Sequence, residues 1–294
     1  MNIQELTLEH KDLFEKAALK TGCNGAEYSF ANIFVWRTQI NARLVTFNEF
    51  PHVVSFCFGE TRFFYPFGGT EEENAVCANE IVETHTYANF GSMGERAYEN
   101  VKHIFGDRYT FNELREYADY LYDVGQLASV SGKKLHGKRG HINAFMTVFD
   151  GRWSFEEIMP YTLRECIEFN KRWFENQEHF SKSRAQEQIA VAECFDNFEA
   201  LDLVGGILRL DGNVIGFAVG TPLNDSTFLE MIEKADAGIR GAYPVLLNQF
   251  VGRFCSGYKL LNREDDSGDP GLKKAKLSWY PAEIYMKWRT QIKK

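Results

Sequence analysis

The sequence has no apolar run long enough to cross a bilayer. Its longest stretch free of charged side chains and histidine is Gly212–Asn224, well short of the roughly 20 apolar residues that a spanning helix needs. The start, Met1-Asn2-Ile3-Gln4-Glu5-Leu6, has neither the basic opening nor the apolar core of a secretory signal. The expected location is the cytoplasm. The six cysteines (Cys23, Cys57, Cys77, Cys166, Cys194 and Cys255) form no C-x-x-C pair, and no histidine stands at zinc-ligand spacing. They read as buried free thiols, with no metal expected. There is no Walker loop, no H-E-x-x-H and no Ser/His/Asp set that can be placed, so no tightly bound cofactor is expected. Prolines number only 7 and gather in no linker.

Aromatic residues, by contrast, are plentiful. With 25 Phe, 13 Tyr and 5 Trp in 294 residues, the chain is too apolar for disorder. Its length suits about two domains of roughly 150 residues. Tyr28, Phe30, Phe34, Trp36, Phe63, Phe64, Tyr65 and Phe67 read as core or interdomain packing rather than a binding platform.

The net charge of −8 is unevenly spread. Between Val124 and Phe149 stand Lys133, Lys134, Lys138 and Arg139 with no Asp or Glu, and from Gly271 to Lys294 seven Lys or Arg face one Glu. These are two basic islands in an acidic chain. The first either contacts a polyanion through Lys133, Lys134, His136, Lys138 and Arg139 or is a solvated helix face.

Periodicity and turn residues outline the elements. Val35 to Phe67 reads as an antiparallel meander, Glu71 to Tyr87 as an amphipathic helix, and Tyr117 to Tyr122 as a strand. One helix is expected after Asp123, with Leu127, Leu135, Ile142, Phe145 and Phe149 on its inner face. Helical patterns follow over Thr162–Gln177 and Ser183–Phe198. Two strands around Asp211-Gly212-Asn213 then read as a hairpin. A strand at Phe228–Glu233, a helix over Gly238–Phe254, a strand at Tyr258–Leu261 and a helix opened by Pro270 complete the chain. Each half thus runs helices, hairpin, strand, helix, strand. The fold expected is α+β, with a domain at 1–155 and another at 156–294, although no residue-level repeat joins them.

The order hairpin, strand, helix, strand resembles the GNAT acyltransferase fold, in which the strand before the helix splays from its neighbour to receive the acyl carrier. Three segments carry a more specific likeness. Glu27-Tyr28-Ser29-Phe30-Ala31-Asn32-Ile33-Phe34-Val35-Trp36-Arg37, Gly132-Lys133-Lys134-Leu135-His136-Gly137-Lys138-Arg139 and Leu261-Asn262-Arg263-Glu264-Asp265-Asp266-Ser267-Gly268-Asp269-Pro270-Gly271-Leu272 resemble the lysylphosphatidylglycerol synthase C-terminal-domain family. The resemblance implies a tandem GNAT fold and transfer of an aminoacyl group from tRNA to a lipid headgroup. The lipid-modifying members join this domain to a membrane-embedded part, so the acceptor here is left as an amine or hydroxyl of a small molecule or a headgroup. An acyl-CoA-dependent N-acetyltransferase and a non-catalytic binding module on the same scaffold are the alternatives.

Within that frame, Gly238, Arg240 and Gly241 stand where a helix start would offer N–H groups to a phosphate of the donor, acyl-CoA or aminoacyl-tRNA. They also suit an ordinary helix start. Glu264 or Asp265, just past a strand end, is positioned to deprotonate the attacking group. Asp269 before Pro270 reads as a helix cap, which would make the acidic turn a capping network instead. Lys273, Lys274 and Lys276 would hold a substrate carboxylate or phosphate, or pair with the acids before them.

Overall fold

The computed structural model describes residues 1–176 and 182–293. The strands are β1 (Asn2–Glu5), β2 (Ala42–Thr46), β3 (Val54–Phe58), β4 (Arg62–Phe63), β5 (Asn89–Phe90), β6 (Tyr109–Glu113), β7 (Asp119–Asp123), β8 (Trp153–Glu157), β9 (Val204–Leu210), β10 (Asn213–Asn224), β11 (Thr227–Ala235), β12 (Leu260–Asn262), β13 (Glu283–Tyr285) and β14 (Trp288–Ile292). The α-helices are α1 (Lys11–Thr21), α2 (Phe30–Trp36), α3 (Glu71–Thr84), α4 (Glu95–Phe105), α5 (Val124–Ser129), α6 (His136–Val148), α7 (Leu163–Glu175), α8 (Lys182–Asp196), α9 (Ala242–Phe254) and α10 (Pro270–Leu277).

Local chemistry accounts for many of these boundaries. The Asp211-Gly212 turn holds both residues at positive φ, 51° and 79°, and aligns Leu210 with Asn213. That is the backbone a two-residue hairpin needs. At α3, Thr70 Oγ1 accepts from Glu73 N at 3.2 Å and the Glu73 carboxylate accepts from Thr70 N at 2.7 Å. This reciprocal cap closes the helix start. At α10, Asp269 Oδ1 accepts from Leu272 N at 2.8 Å with Pro270 at the first helical position.

The single helix expected after Asp123 is instead two. Between α5 and α6 the chain takes left-handed backbone at Val130 (φ 46°) and Gly132 (φ 84°), a turn that glycine allows and a continuous helix does not. The helix expected from Gly238 begins at Ala242, because Asp236 to Gly241 form a turn. The expected end of the preceding helical pattern at Gln177 lies outside the described residues.

Three sheets form, ordered β1-β2-β3-β4-β5, β13-β7-β12-β11-β10-β9-β8 and β14-β6. Strands cross the expected 155/156 boundary in both directions. β7 sits between β12 and β13, while β14 pairs with β6 and its Thr290 hydroxyl accepts from Phe90 N at 2.7 Å. The aromatic packing crosses it as well. Phe14, Phe30, Phe56 and Phe64 share one buried cluster with Phe169, Phe195, Phe217 and Leu229. Phe56 stacks on Phe64 at 4.5 Å, and Phe14 meets Phe67 edge-on at 5.2 Å. The aromatic run singled out in the sequence is therefore core apart from the half-buried Trp36, with Tyr65 buried at the wall of a cavity. Burial pushes the Cys77 and Cys166 thiols up to about 12, so these two are neutral.

Candidate active site

The opening between β11 and β12 organises the site. The two strands run parallel, but only Thr227, Phe228 and Leu229 of β11 pair with β12. From Glu230 onward β11 has no ladder partner on that side among the described residues. The strands part there, and α9 makes the connection between them. On its other edge, β12 pairs antiparallel with β7, and the ladder continues as Tyr120 N donates to Glu264 O and Arg263 N to Tyr120 O.

Arg263 fills the parted strands. Its Nε donates to the Glu230 carboxylate and its Nη2 to Glu233, with 8% of the arginine and 4% of Glu230 exposed. Burial works against the guanidinium charge, but Glu230 and Glu233 outweigh it and raise the Arg263 pKa. Burial lifts the Glu233 carboxyl to about 7 against the pull of Arg263. The guanidinium also faces the Tyr122 ring at 5.6 Å.

The acidic turn beyond β12 is built by its own side chains. Asn262 Oδ1 accepts from Glu264 N at 2.7 Å, and Asn262 Nδ2 donates to Asn24 O at 2.7 Å and Asp119 Oδ2 at 3.0 Å. Asp265 Oδ1 accepts from Ser267 N at 2.8 Å, and Asp266 accepts from the Tyr120 hydroxyl with Arg115 3.6 Å away. Glu264 differs from these. Its backbone is left-handed at φ 55°, and its Oε1 is buried with no hydrogen-bond partner among the described residues. Burial pushes this carboxyl up to about 8, against Lys276 and helped by Asp265 and Asp119. Burial raises Asp265 too.

Beside the turn lies a second charged knot. Lys287 Nζ donates to Asp119 Oδ1 at 2.6 Å and stands 2.9 Å from Glu27 Oε2, and Ala26 N donates to Asp119 Oδ2 at 2.7 Å. Burial opposes the Lys287 charge, but Asp119 and Glu27 overcome it and raise its pKa. With one ammonium between two buried carboxylates, burial lifts Glu27 to about 7. The segments Glu27–Arg37 and Leu261–Leu272, far apart in sequence, thus meet in one polar cluster.

The expected site residues divide into groups. Glu264 and Asp265 stand together at the open end of β12. Lys276 is buried beside them, yet its Nζ donates to the backbone carbonyls of Arg263 and Asp265, so it holds the turn in place. Lys273 and Lys274 are exposed on α10. Gly241 caps α9 at φ 94°, and a Cβ there would lie 2.8 Å from His141 O, so α6 rests against the start of α9. The first basic island and the Gly238–Gly241 turn are therefore neighbours, with Arg240 Nε 3.5 Å from His141 Nδ1. Gly238 N donates to Asp236 Oδ1 and Ala242 N to Ile239 O, which leaves this turn fewer free donors than a full phosphate cradle. Lys133, Lys134 and His136 are exposed, whereas Arg139 Nη1 donates to Val130 O at 2.7 Å. Lys138 lies over the Trp279 ring at 4.6 Å, where burial and Arg263 lower its pKa and Glu233 partly offsets them.

Sequence reasoning passed over Glu27, Asp119, Glu230, Glu233 and Lys287. Glu230 carried a usable signal, an acid between apolar neighbours at Leu229 and Met231 in a strand. An open groove of about 550 Å3 lies elsewhere, between β8 and α9. Its Glu156 and Glu157 are already paired with Arg209 and Arg253, so it adds no free charge.

The paired halves and the parted strands define a tandem GNAT fold. A tandem GNAT protein from the clavulanic acid biosynthesis pathway aligns over 99% of this chain and 98% of its own, at 11% identity and a TM-score of 0.50. The chain belongs to the phosphatidylglycerol lysyltransferase C-terminal family, which it matches over residues 22–290. A conserved protein of unknown function from Bacteroides thetaiotaomicron VPI-5482 superposes with a TM-score of 0.90 at 30% identity, covering 100% of both chains. L-PGS from Bacillus licheniformis superposes with a TM-score of 0.66 at 14% identity, over 98% of this chain and 92% of that one. The protein MYCGA3080 of Mycoplasmoides gallisepticum is 26% identical over 181 residues, 59% of this chain and just over half (56%) of its own length. Family and fold are those of acyltransferases. No helix among the described residues is long and apolar enough to cross a membrane.

Proposed function

We propose that the protein transfers an aminoacyl group from tRNA to an amine or hydroxyl, with Glu264 as general base. The supporting observation is the half-buried Glu264, whose Oε1 is buried without a hydrogen-bond partner among the described residues and whose carboxyl is lifted to about 8 at the open end of the parted strands. A base with a pKa near the working pH is suited to take a proton from an attacking group. As the acceptor's nitrogen or oxygen attacks the ester carbonyl, its proton passes to Glu264. The tRNA 3′ oxygen leaves and takes that proton from Glu264, which restores the carboxylate. Asp265, beside Glu264, raises the basicity of that carboxylate, and the ionised form is the one that takes the acceptor's proton.

The donor follows from the opening. In an acyl-CoA-dependent enzyme of this fold the splay admits the carrier, whereas here Arg263, Glu230 and Glu233 occupy it as a buried ion triad. That favours a donor whose ester approaches from outside. Lys133, Lys134 and His136 with Gly238, Arg240 and Gly241 supply a basic face beside the opening for the tRNA backbone. Lys138 and Arg139 support that face from within, and Lys273 extends it on α10.

A single-turnover assay tests the reading. Mixed radiolabelled aminoacyl-tRNA and, separately, acetyl-CoA are offered with amine, hydroxyl and phosphatidylglycerol acceptors. Label leaving tRNA for an acceptor, lost in Glu264→Gln, is the expected result. Transfer from acetyl-CoA alone would reverse the donor assignment, and no transfer from either would leave a binding module.

A further inference from the structure

The path that makes the second opening recurs in the first half. β4 and β5 run parallel over only two pairs, Arg62↔Asn89 and Phe63↔Phe90, with α3 between them as α9 lies between β11 and β12. Beyond those pairs the chains part around a cavity of about 40 Å3. The run from Tyr65 to Gly69 forms one wall, and Arg96, Ala97 and Asn100 of α4 form the other. That volume accepts about three waters, comparable to a carboxylate group or the oxygen face of a phosphate.

Two independent features give the cavity a sign. Gly94 caps α4 with no side-chain acceptor, so its first-turn N–H groups have no side-chain cap, while the exposed Glu95 in that turn offsets part of the positive end of the helix dipole. The start of α3, across the cavity, is closed by Thr70 and Glu73 and offers nothing comparable. The second feature is Tyr65. It is 4% exposed and lines the cavity, and its hydroxyl donates no hydrogen bond among the described residues, its polar neighbour there being the Asn100 side chain, which pulls its pKa down against burial. An orphaned buried hydroxyl destabilises the fold unless something outside the chain meets it. Burial, then the Glu71 charge, pushes this phenol up to about 12, so at neutral pH it is a donor.

The rim supports the same sign. Lys20 is exposed and donates to Gly68 O at 3.0 Å, leaving further N–H groups free to turn inward. Arg96 is half-exposed and pairs with Glu71 at 2.9 Å. Glu71 opposes an anion, and Arg96 screens it.

We propose that the first half holds a small oxyanion, the carboxylate or phosphate group of a ligand whose remainder lies outside the rim, with Tyr65, Arg96 and the start of α4 as donors. The site stands apart from the transfer reading, since it is read by binding alone. Titration at constant ionic strength with acetate, inorganic phosphate and glycerol 3-phosphate, followed by amide NMR, tests it. Saturable shifts at Arg96 and Ala97 are expected with at least one probe. Tyr65→Phe should weaken that binding about tenfold without lowering the ligand-free melting temperature, and Glu71→Gln should tighten it. Preference for glycerol 3-phosphate over inorganic phosphate assigns the site to a headgroup, and the reverse to a free anion. No saturable binding by any probe overturns the proposal. So does binding that Tyr65→Phe leaves unchanged, or a Tyr65→Phe protein that melts lower on its own.

Discussion

The two halves open their sheets by the same chain path and fill the openings with opposite materials. In the second half, an arginine between two glutamates closes the gap, with Arg263 and Glu230 taken almost wholly out of water and Glu233 mostly so. In the first, a neutral phenol and a Gly68-Gly69 wall leave a small space. The contrast shows that the fold supplies a place for a ligand at each splay, while the side chains decide what that place is for. A buried ion triad resists exchange, because any ligand entering must replace its hydrogen bonds. An unpartnered phenol invites one.

The sharpest way to break this comparison is at Glu264, the charged opening's free carboxyl. If it is the base, Glu264→Gln should lower turnover by roughly 10²–10⁴-fold. The pH dependence has a defined sign. Glu264 ionises near its ordinary 4.5 in the unfolded chain and near 8 in the folded one. Between those values the folded chain holds the proton, so this group's share of stability falls as pH rises from 4.5 to 8 and is flat above. Glu27 and Glu233, lifted to about 7, act in the same direction. Turnover should rise toward pH 8 and level off. Denaturation at pH 5 and pH 8 should show the wild type losing more stability over that range than Glu264→Gln.

Arg263 comes next. Replacing it with Met leaves Glu230 and Glu233 buried without a counterion, a change expected to cost about 3–5 kcal/mol by urea denaturation. The triple variant, with both glutamates also made Gln, should recover much of that loss. If Arg263→Met alone is tolerated, water reaches the second opening and the contrast with the first is weaker than drawn.

Smaller effects probe the rim. Lys133→Gln with Lys134→Gln should weaken tRNA binding and reduce the slope of log affinity against log salt by about two, since two phosphate contacts are lost. An unchanged slope would make this island a solvated face. The smallest effect is at Asp269, which caps the helix that carries Lys276 to the turn. Asp269→Ala should cost about 1 kcal/mol of stability, measured by thermal melting. A loss of activity larger than this stability change would place the cap's influence at the second opening itself.

Some of this could be read along the chain. The Asp211-Gly212 hairpin, the Asp269-Pro270 cap and the aromatic core follow from neighbours a few residues apart. The break between α5 and α6 was missed, because Val130 turns left-handed while buried in a cluster shared with α9, which spacing does not report. A strand at Tyr117–Tyr122 was expected and forms at Asp119–Asp123, but its place between β12 and β13 was not expected. Its partners come from more than 130 residues away in the sequence.

The sequence by itself determined most element types of the second half, the Asp269 cap, the family and the placing of carboxylates just past a strand end. Those features depend on period, turn chemistry and motif, all carried by adjacent residues. The tertiary structure alone decided that Arg263 would close one opening and Tyr65 stand unpartnered in the other. It also decided that Lys276 would reach the carbonyls of Arg263 and Asp265, and that burial would raise the Glu264 carboxyl. Desolvation and Coulomb interactions set these outcomes, and both depend on which distant segments arrive around a charge once the chain has folded.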